Sequence, residues 1–165
     1  MNDVKMPKFS IALDSCVLIS LMGESENIVE KIKHAFNEKN TKIVLYRVVL
    51  NEIIGNGKTS KIRHRLSELF NCVIEIVPIS EYEIQIAKEM SEIHKIIHRG
   101  DDQILAISKT RNDIVITFDK KLIRTCNLLG IKFFNPFYQD DFCVNLEAHG
   151  ETISEIMSKR MHEKC

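Results

Sequence analysis

The chain has 165 residues, of which 44% are hydrophobic and 28% charged, a balance typical of a globular domain with one hydrophobic core. Lysine plus arginine equals aspartate plus glutamate at 23 each, so the net charge gives no indication of a nucleic-acid partner, and any such indication must be local. No run of about 18 apolar residues offers a membrane span, and we expect a cytoplasmic protein without a membrane partner.

The N-terminal segment and the cysteines favour the same compartment. Residues 1–8 carry charges, but only residues 9–13 follow before Asp14, which is too short for the core of a signal peptide. The five cysteines are spaced singly, unlike zinc ligands or the paired cysteines of a secreted disulfide framework. We therefore expect reduced, mostly buried thiols and no zinc site.

Short runs rich in isoleucine and valine alternate along the chain with longer amphipathic stretches, which indicates a parallel sheet flanked by helices. The predicted strands are Phe9 to Leu13, Lys42 to Tyr46, Val73 to Val77, Asp113 to Thr117 and Ile131 to Phe134. Helical spacing is kept by the apolar stripes Ile28, Ile32, Ala35, Phe36 and Ile84, Ala87, Met90, Ile93, Ile97. The pattern predicts a three-layer α/β/α sandwich with a mostly parallel central sheet of about five strands.

The sharpest break in the chain follows the last predicted strand, at Asn135-Pro136. Beyond it, residues 139–165 begin with polar Gln139-Asp140-Asp141 and continue into an amphipathic stretch from about Glu151. We predict a core domain of residues 1–138 and a C-terminal extension of residues 139–165, with a helix that packs on the core or on a partner.

Four acidic residues come at strand ends or helix starts. Asp14 directly follows the first strand, and Asp119 lies two residues past the fourth. Glu52 lies in an aliphatic stretch one or two helical turns beyond the second strand, and Asp102 opens a helix before the fourth strand. Because ligands of parallel α/β sheets collect at the carboxyl ends of the strands, these acids can meet in one place.

A cluster of carboxylates needs a cation to remain ionised, since like charges within about 4 to 6 Å raise one another's pKa. Mg²⁺ and Mn²⁺ prefer oxygen ligands, keep several waters and bridge phosphates. An all-carboxylate site therefore predicts phosphate chemistry, in which the metal generates hydroxide and stabilises the leaving oxygen.

At these residues the sequence resembles the PIN-domain family, including the VapC-like toxins of toxin-antitoxin pairs. Four motifs carry the resemblance: Leu13-Asp14-Ser15 followed by aliphatics, Glu52 within an aliphatic helix, Asp102 followed by Ile104-Leu105-Ala106, and Ile116-Thr117-Phe118-Asp119 with Lys120-Lys121-Leu122 behind it. The match spans roughly residues 9–137. Cys16 stands where the family often has Asn, so we expect a hydrogen bond near Asp14 to be missing.

The resemblance implies a PIN-like fold and Mg²⁺- or Mn²⁺-dependent endonucleolytic hydrolysis of RNA. It implies that Asp14, Asp102 and Asp119 bind the metal, that Glu52 acts through water or a second ion, and that Thr117 and Ser15 orient ligands. It also implies a homodimer and a role as the toxin of a pair, with a small antitoxin protein as partner.

Basic side chains stand in two segments near these motifs. They are Lys58, Lys61, Arg63 and Arg65 in the first segment, and Lys120 and Lys121 in the second. Each set predicts contacts with the phosphate backbone of RNA, and each is equally typical of a solvated helix face.

The acids also have structural explanations. Asp14 and Asp119 could cap the helices that follow them, and Thr117 could be an ordinary strand residue. Of the two acids that follow Gly100, we predict that Asp101 is the N-cap and that Asp102 binds the metal.

Three other functions are alternatives to a nuclease. A phosphate-binding loop ending at Gly57-Lys58-Thr59 would need glycine at position 52, where the chain has glutamate. A phospho-receiver domain needs adjacent acids after the first strand, whereas Ser15 and Cys16 follow Asp14. A non-catalytic PIN-like module that binds RNA or ribosomal partners stays open, although the presence of all four acids disfavours it.

Overall fold

The computed structural model describes residues 9–23, 26–36, 41–53, 58–95 and 100–137. The strands in these segments are β1 Phe9–Leu13, β2 Thr41–Tyr46, β3 Val73–Val77, β4 Ile114–Ile116 and β5 Phe133–Phe134. The helices in these segments are α1 Ser15–Met22, α2 Glu26–Ala35, α3 Arg47–Ile53, α4 Thr59–Phe70, α5 Glu81–His94, α6 Asp101–Arg111 and α7 Lys120–Leu129. The predicted C-terminal extension lies outside the described residues.

The five strands form one parallel sheet in the order β3-β2-β1-β4-β5. Crossovers between parallel strands are right-handed, so the direction of a connection along the sheet decides which face its helices cover. The helices that connect β1 to β2 and β2 to β3 lie on one face of the sheet, and those that connect β3 to β4 and β4 to β5 lie on the other. In agreement, α1 contacts α2, α3 and α4, and α5 packs along α6. The predicted α/β fold with a parallel sheet of five strands is confirmed.

The centre of the sheet is buried on both faces, as expected for parallel strands covered by helices. Ile11, Ala12 and Leu13 of β1 are each 1% exposed, and all three residues of β4 are buried. The direction of winding reverses between β1 and β4, and this reversal opens a crevice beyond their carboxyl ends. The fold therefore places any ligand site next to the residues that follow these two strands.

The strands β4 and β5 begin later in the structure than predicted, because the first predicted residue of each strand is hydrogen-bonded to the end of the preceding helix. Asp113 donates its N–H to the carbonyl of Ser108 in the last turn of α6, and Ile131 donates to Cys126 in the last turn of α7. β4 and β5 therefore begin only after these turns.

The apolar stripe predicted for α5 is buried at Ala87 and Met90, but Ile93 is 73% exposed. The helix ends at His94, so Ile93 lies in its last turn, and the predicted stripe position Ile97 lies outside the described residues. The packed face of α5 is thus shorter than the sequence pattern indicates.

Candidate active site

Asp14 lies at the point where the winding of the sheet reverses. Leu13 pairs with Ile116, and the backbone N–H of Asp14 donates to the carbonyl of Ile116 at 3.0 Å, so the next residues, Asp14 and Thr117, stand side by side beyond the strand ends. Asp14 is also the N-cap of α1, and its side chain is only 5% exposed. A carboxylate is thereby held almost out of water at the carboxyl edge of the sheet.

Both carboxylate oxygens of Asp14 accept hydrogen bonds. The backbone N–H of Ser15 donates to Oδ1 at 2.7 Å, and the hydroxyl of Thr117 donates to Oδ2 at 2.8 Å. The thiol of Cys16 also donates to Oδ2, at 3.2 Å. The expectation that a hydrogen bond would be missing at position 16 is wrong, because the thiol supplies one.

Thr117 connects Asp14 to Asp119. Its fully buried hydroxyl accepts a hydrogen bond from the backbone N–H of Asp119 at 3.0 Å while it donates to Asp14. Asp119 is the N-cap of α7, and its Oδ1 accepts from the backbone N–H groups of Lys121 and Leu122 at 2.8 and 3.4 Å. Asp14 and Asp119 are therefore both helix caps. In Asp119 the capping hydrogen bonds use only one of the two carboxylate oxygens, Oδ1.

Glu52, on α3, faces the start of α6. Gly100 has φ +109, and a Cβ added to it would overlap Oε1 of Glu52. Although Glu52 is exposed as a residue, partial desolvation and then the charge of Asp14 raise the pKa of its carboxyl group. Glu52, Asp14 and the start of α6 thus share one region.

The start of α6 differs from the sequence prediction. Gly100 is the N-cap and has no side-chain capping bond, so the prediction that Asp101 is the N-cap is wrong. Oδ1 of Asp102 instead accepts from the backbone N–H groups of Gly100 and Gln103, at 3.2 and 2.9 Å. Both acids lie in the first turn of the helix, where the positive end of the helix dipole favours them.

The sequence did not predict the roles of two groups in this region. The first is Gly100, whose signal is a glycine directly before two acids at a helix start. The second is the Cys126 thiol, whose pKa is raised to about 12, mainly by burial and then by the charges of Asp14 and Asp101. No local pattern marked Cys126, because it reaches this region only through the packing of α7 on the sheet.

The described residues contain no group of three or more His, Cys, Asp or Glu side chains close enough to hold a metal ion. The chemistry of the acids nevertheless fits a hard cation. Asp14 is buried and has no ion-pair partner in the described segments, and its charge raises the pKa of Glu52 and, after burial, that of Cys16, to about 11. Negative charge that is shielded from water and unbalanced by Lys or Arg is stabilised by a bound cation.

The predicted basic residues are exposed but do not form one face. Lys61 and Arg65 lie one turn apart on α4, whereas Arg63, two residues from each, points elsewhere. Lys58 precedes α4, and Lys120 and Lys121 form the first turn of α7, directly after Asp119. Lys120 and Lys121 are therefore the basic residues nearest to the acids along the chain.

None of the helices in the described segments combines the length and apolar character that a membrane crossing requires. No curated protein sequence matches the chain.

Solved structures share the fold of this chain, although their sequence identity to it is low. A chain of VapBC2 from Rickettsia felis, bound to a promoter DNA fragment, is 18% identical with a TM-score of 0.56, and the match covers 77% of this chain and 98% of that one. VapBC-1 from nontypeable Haemophilus influenzae is 17% identical with a TM-score of 0.57, and the match covers 78% of this chain and 98% of that one. A toxin-antitoxin complex from Klebsiella pneumoniae is 18% identical with a TM-score of 0.53, and the match covers 77% of this chain and 98% of that one.

The family model described as PIN domain matches residues 11–128, a span that begins in β1 and ends in α7. This span contains the acids of all four motifs and the reversal point of the sheet. The chain belongs to the PIN domain family.

Proposed function

We propose that this protein is a Mg²⁺- or Mn²⁺-dependent endoribonuclease and the toxin of a toxin-antitoxin pair. The observation that carries the proposal is Asp14, a buried carboxylate without an ion-pair partner in the described segments, at the reversal point of the sheet. Glu52 lies near Gly100 at the start of α6 and its pKa responds to the charge of Asp14, and Asp119 is connected to Asp14 through Thr117. Membership of the PIN family supports nuclease chemistry at this position.

Asp14, Asp102 and Asp119 would hold the cation, each from the start of a different helix. The bound ion would supply a water of lowered pKa and stabilise charge on the phosphate. Thr117 orients Asp14 through its hydroxyl, and Glu52, whose pKa is raised by partial desolvation and then by the charge of Asp14, would act through water or a second ion. Lys120 and Lys121 would attract the phosphate backbone toward an acidic edge that otherwise repels it.

The antitoxin partner is proposed from the solved structures. One of them is a toxin-antitoxin complex, and the matches cover nearly all of the similar chains. A homodimer is proposed from the family resemblance. Copurification with the product of a small neighbouring reading frame would test the antitoxin, and sedimentation of the purified chain would test the dimer.

A non-catalytic module that binds RNA or ribosomal partners is the second candidate. The observation in its favour is that no three metal-ligating side chains in the described segments stand within reach of one ion. Such a module would bind RNA without cleaving it and would not respond to divalent ions.

The deciding experiment incubates the full chain with single-stranded and structured RNA pools in Mg²⁺, Mn²⁺ or EDTA. We expect cleavage with either metal and none with EDTA. Asp119→Asn should reduce cleavage by at least about 10- to 100-fold, the loss typical of groups that merely orient a metal ligand. Asn also caps a helix about as well as Asp, so the fold should persist.

The exposed variant Glu68→Gln, on α4, is the matched control and should cleave normally. Clean protein that binds RNA but leaves every pool intact with both metals would favour the non-catalytic module.

A further inference from the structure

We propose that Cys16 is a positioning residue of the candidate active site, and that with Thr117 it fixes Oδ2 of Asp14 so that Oδ1 is the oxygen offered to a divalent cation. The cation in this inference rests on the proposed function. The hydrogen bond of the thiol does not.

The assignment follows from counting hydrogen atoms and lone pairs. Each carboxylate oxygen has two lone pairs, and a hydroxyl or thiol has one hydrogen to donate. Oδ2 of Asp14 receives the hydroxyl of Thr117 at 2.8 Å and the thiol of Cys16 at 3.2 Å, which together use both of its lone pairs. Oδ1 receives the backbone N–H of Ser15 at 2.7 Å, and the Ser15 hydroxyl lies farther away, at 3.5 Å. Oδ1 therefore keeps a lone pair for a ligand.

The thiol has a second neighbour, the hydroxyl of Thr117 at 3.6 Å, but Asp14 is the better acceptor. Hydrogen bonds to an ionised group are stronger than those between neutral groups. The Thr117 hydroxyl also already accepts from the backbone of Asp119. The hydrogen of Cys16 consequently goes to Asp14.

The local fold explains how residue 16 reaches this place. Cys16 is the second residue of α1, and side chains in a helix tilt toward its N-terminus, where Asp14 is the cap. A residue with a donor at this position can act on the cap from within the first turn. A residue without a donor would leave Oδ2 with only the hydrogen bond from Thr117, so that the carboxylate would be held less firmly.

The hydrogen bond can be tested without any metal by infrared spectroscopy of the full chain. The S–H stretching band that disappears in Cys16→Ser belongs to this thiol, and we expect it at lower frequency than the band of an unbonded thiol. It should move toward the frequency of an unbonded thiol in Asp14→Asn. A Cys16 band that Asp14→Asn leaves unchanged would overturn the assignment.

The positioning role is tested by Mn²⁺ affinity, measured by calorimetry in the absence of RNA. Cys16→Ser keeps a donor and Cys16→Ala removes it, and Cys16→Thr and Cys16→Val form a second pair of nearly equal shape. We expect the Ser and Thr variants to stay near wild type and the Ala and Val variants to bind Mn²⁺ about 10-fold more weakly, as for other groups that orient a metal ligand. Cys72→Ala is the control and should not change the affinity.

Each outcome decides a different claim. Equal Mn²⁺ affinity within a pair would overturn the positioning role, and one pair that folds well is sufficient for this test. Absence of Mn²⁺ binding in the wild type would overturn the proposed metal-dependent function and the role of Oδ1 with it, while the infrared result would still decide the thiol hydrogen bond.

Discussion

At the scale of single residues, the three acids proposed as metal ligands share one arrangement. Asp14, Asp102 and Asp119 each accept a backbone N–H in the first turn of a helix through Oδ1. Such a bond fixes the orientation of a carboxylate without using all of its lone pairs. Capping and metal binding are therefore compatible, and the helix-cap explanation of Asp14 and Asp119 does not remove them from the site.

Gly100 controls how closely Glu52 approaches the start of α6. We predict that Gly100→Ala lowers the RNA cleavage rate beyond what its loss of stability explains. The positive φ makes alanine unfavourable by about 1–3 kcal/mol. The overlap with Glu52 itself is relieved cheaply, because Oε1 is the end of a flexible side chain that can rotate away. That rotation, however, moves Glu52 from the site.

Gly130→Ala separates the two effects. Gly130 also has a positive φ, +66, but an added Cβ would meet nothing within 4 Å. Chemical denaturation should show a loss of stability in both variants, whereas the RNA cleavage rate should fall only for Gly100→Ala. Equal activity of the two variants would show that the approach of Glu52 is unimportant.

At the scale of elements, a buried polar network holds the C-terminal end of α6 against β2 and β4. The hydroxyl of Tyr46 donates to Oδ2 of Asp113 at 2.7 Å and lies 3.0 Å from the hydroxyl of Ser108. Nε of Arg111 donates to the same Asp113 oxygen at 2.9 Å. Because the other end of α6 carries Asp101 and Asp102, this network also helps to set where those acids stand.

We predict that Tyr46→Phe lowers the free energy of unfolding by about 1–3 kcal/mol, because it removes one hydrogen bond from a buried carboxylate while the ring still fills its space. Tyr46 and Asp113 are 1% and 2% exposed, so water cannot replace the hydroxyl. Tyr82→Phe is the control, since Tyr82 is 68% exposed. Equal urea midpoints for the two variants would contradict a stabilising role for the network.

At the scale of the whole molecule, the sequence predicted the layers, the five strands and the acids at their ends, because strand burial and helical periodicity are local patterns. It missed what depends on neighbours distant in sequence. The lengths of β4 and β5 depend on the turns that end α6 and α7. The fit of Gly100 against Glu52 depends on the packing of α3 beside α6.

The choice between Asp101 and Asp102 as metal ligand can be decided by the stability of the whole protein. A cation that binds only the folded state adds about 2.7 kcal/mol when its concentration is 100 times its Kd. For a chain of this size, that addition corresponds to a rise in Tm of roughly 5–10 °C. We expect Mn²⁺ to raise the Tm of the wild type and of Asp101→Asn by this amount, and to leave Asp102→Asn unchanged.

The Tm values measured without metal separate the loss of a metal ligand from misfolding. In Asp102→Asn the amide oxygen can still accept from Gly100 and Gln103, and one like charge leaves the acidic edge, so the metal-free Tm should equal or exceed that of the wild type. A variant that lost its Mn²⁺ response through misfolding would instead melt early without metal. If Asp101→Asn loses the Mn²⁺ response while Asp102→Asn keeps it, the ligand at the start of α6 is Asp101. The charge of Asp101, like that of Asp14, helps to raise the pKa of the buried Cys126 thiol.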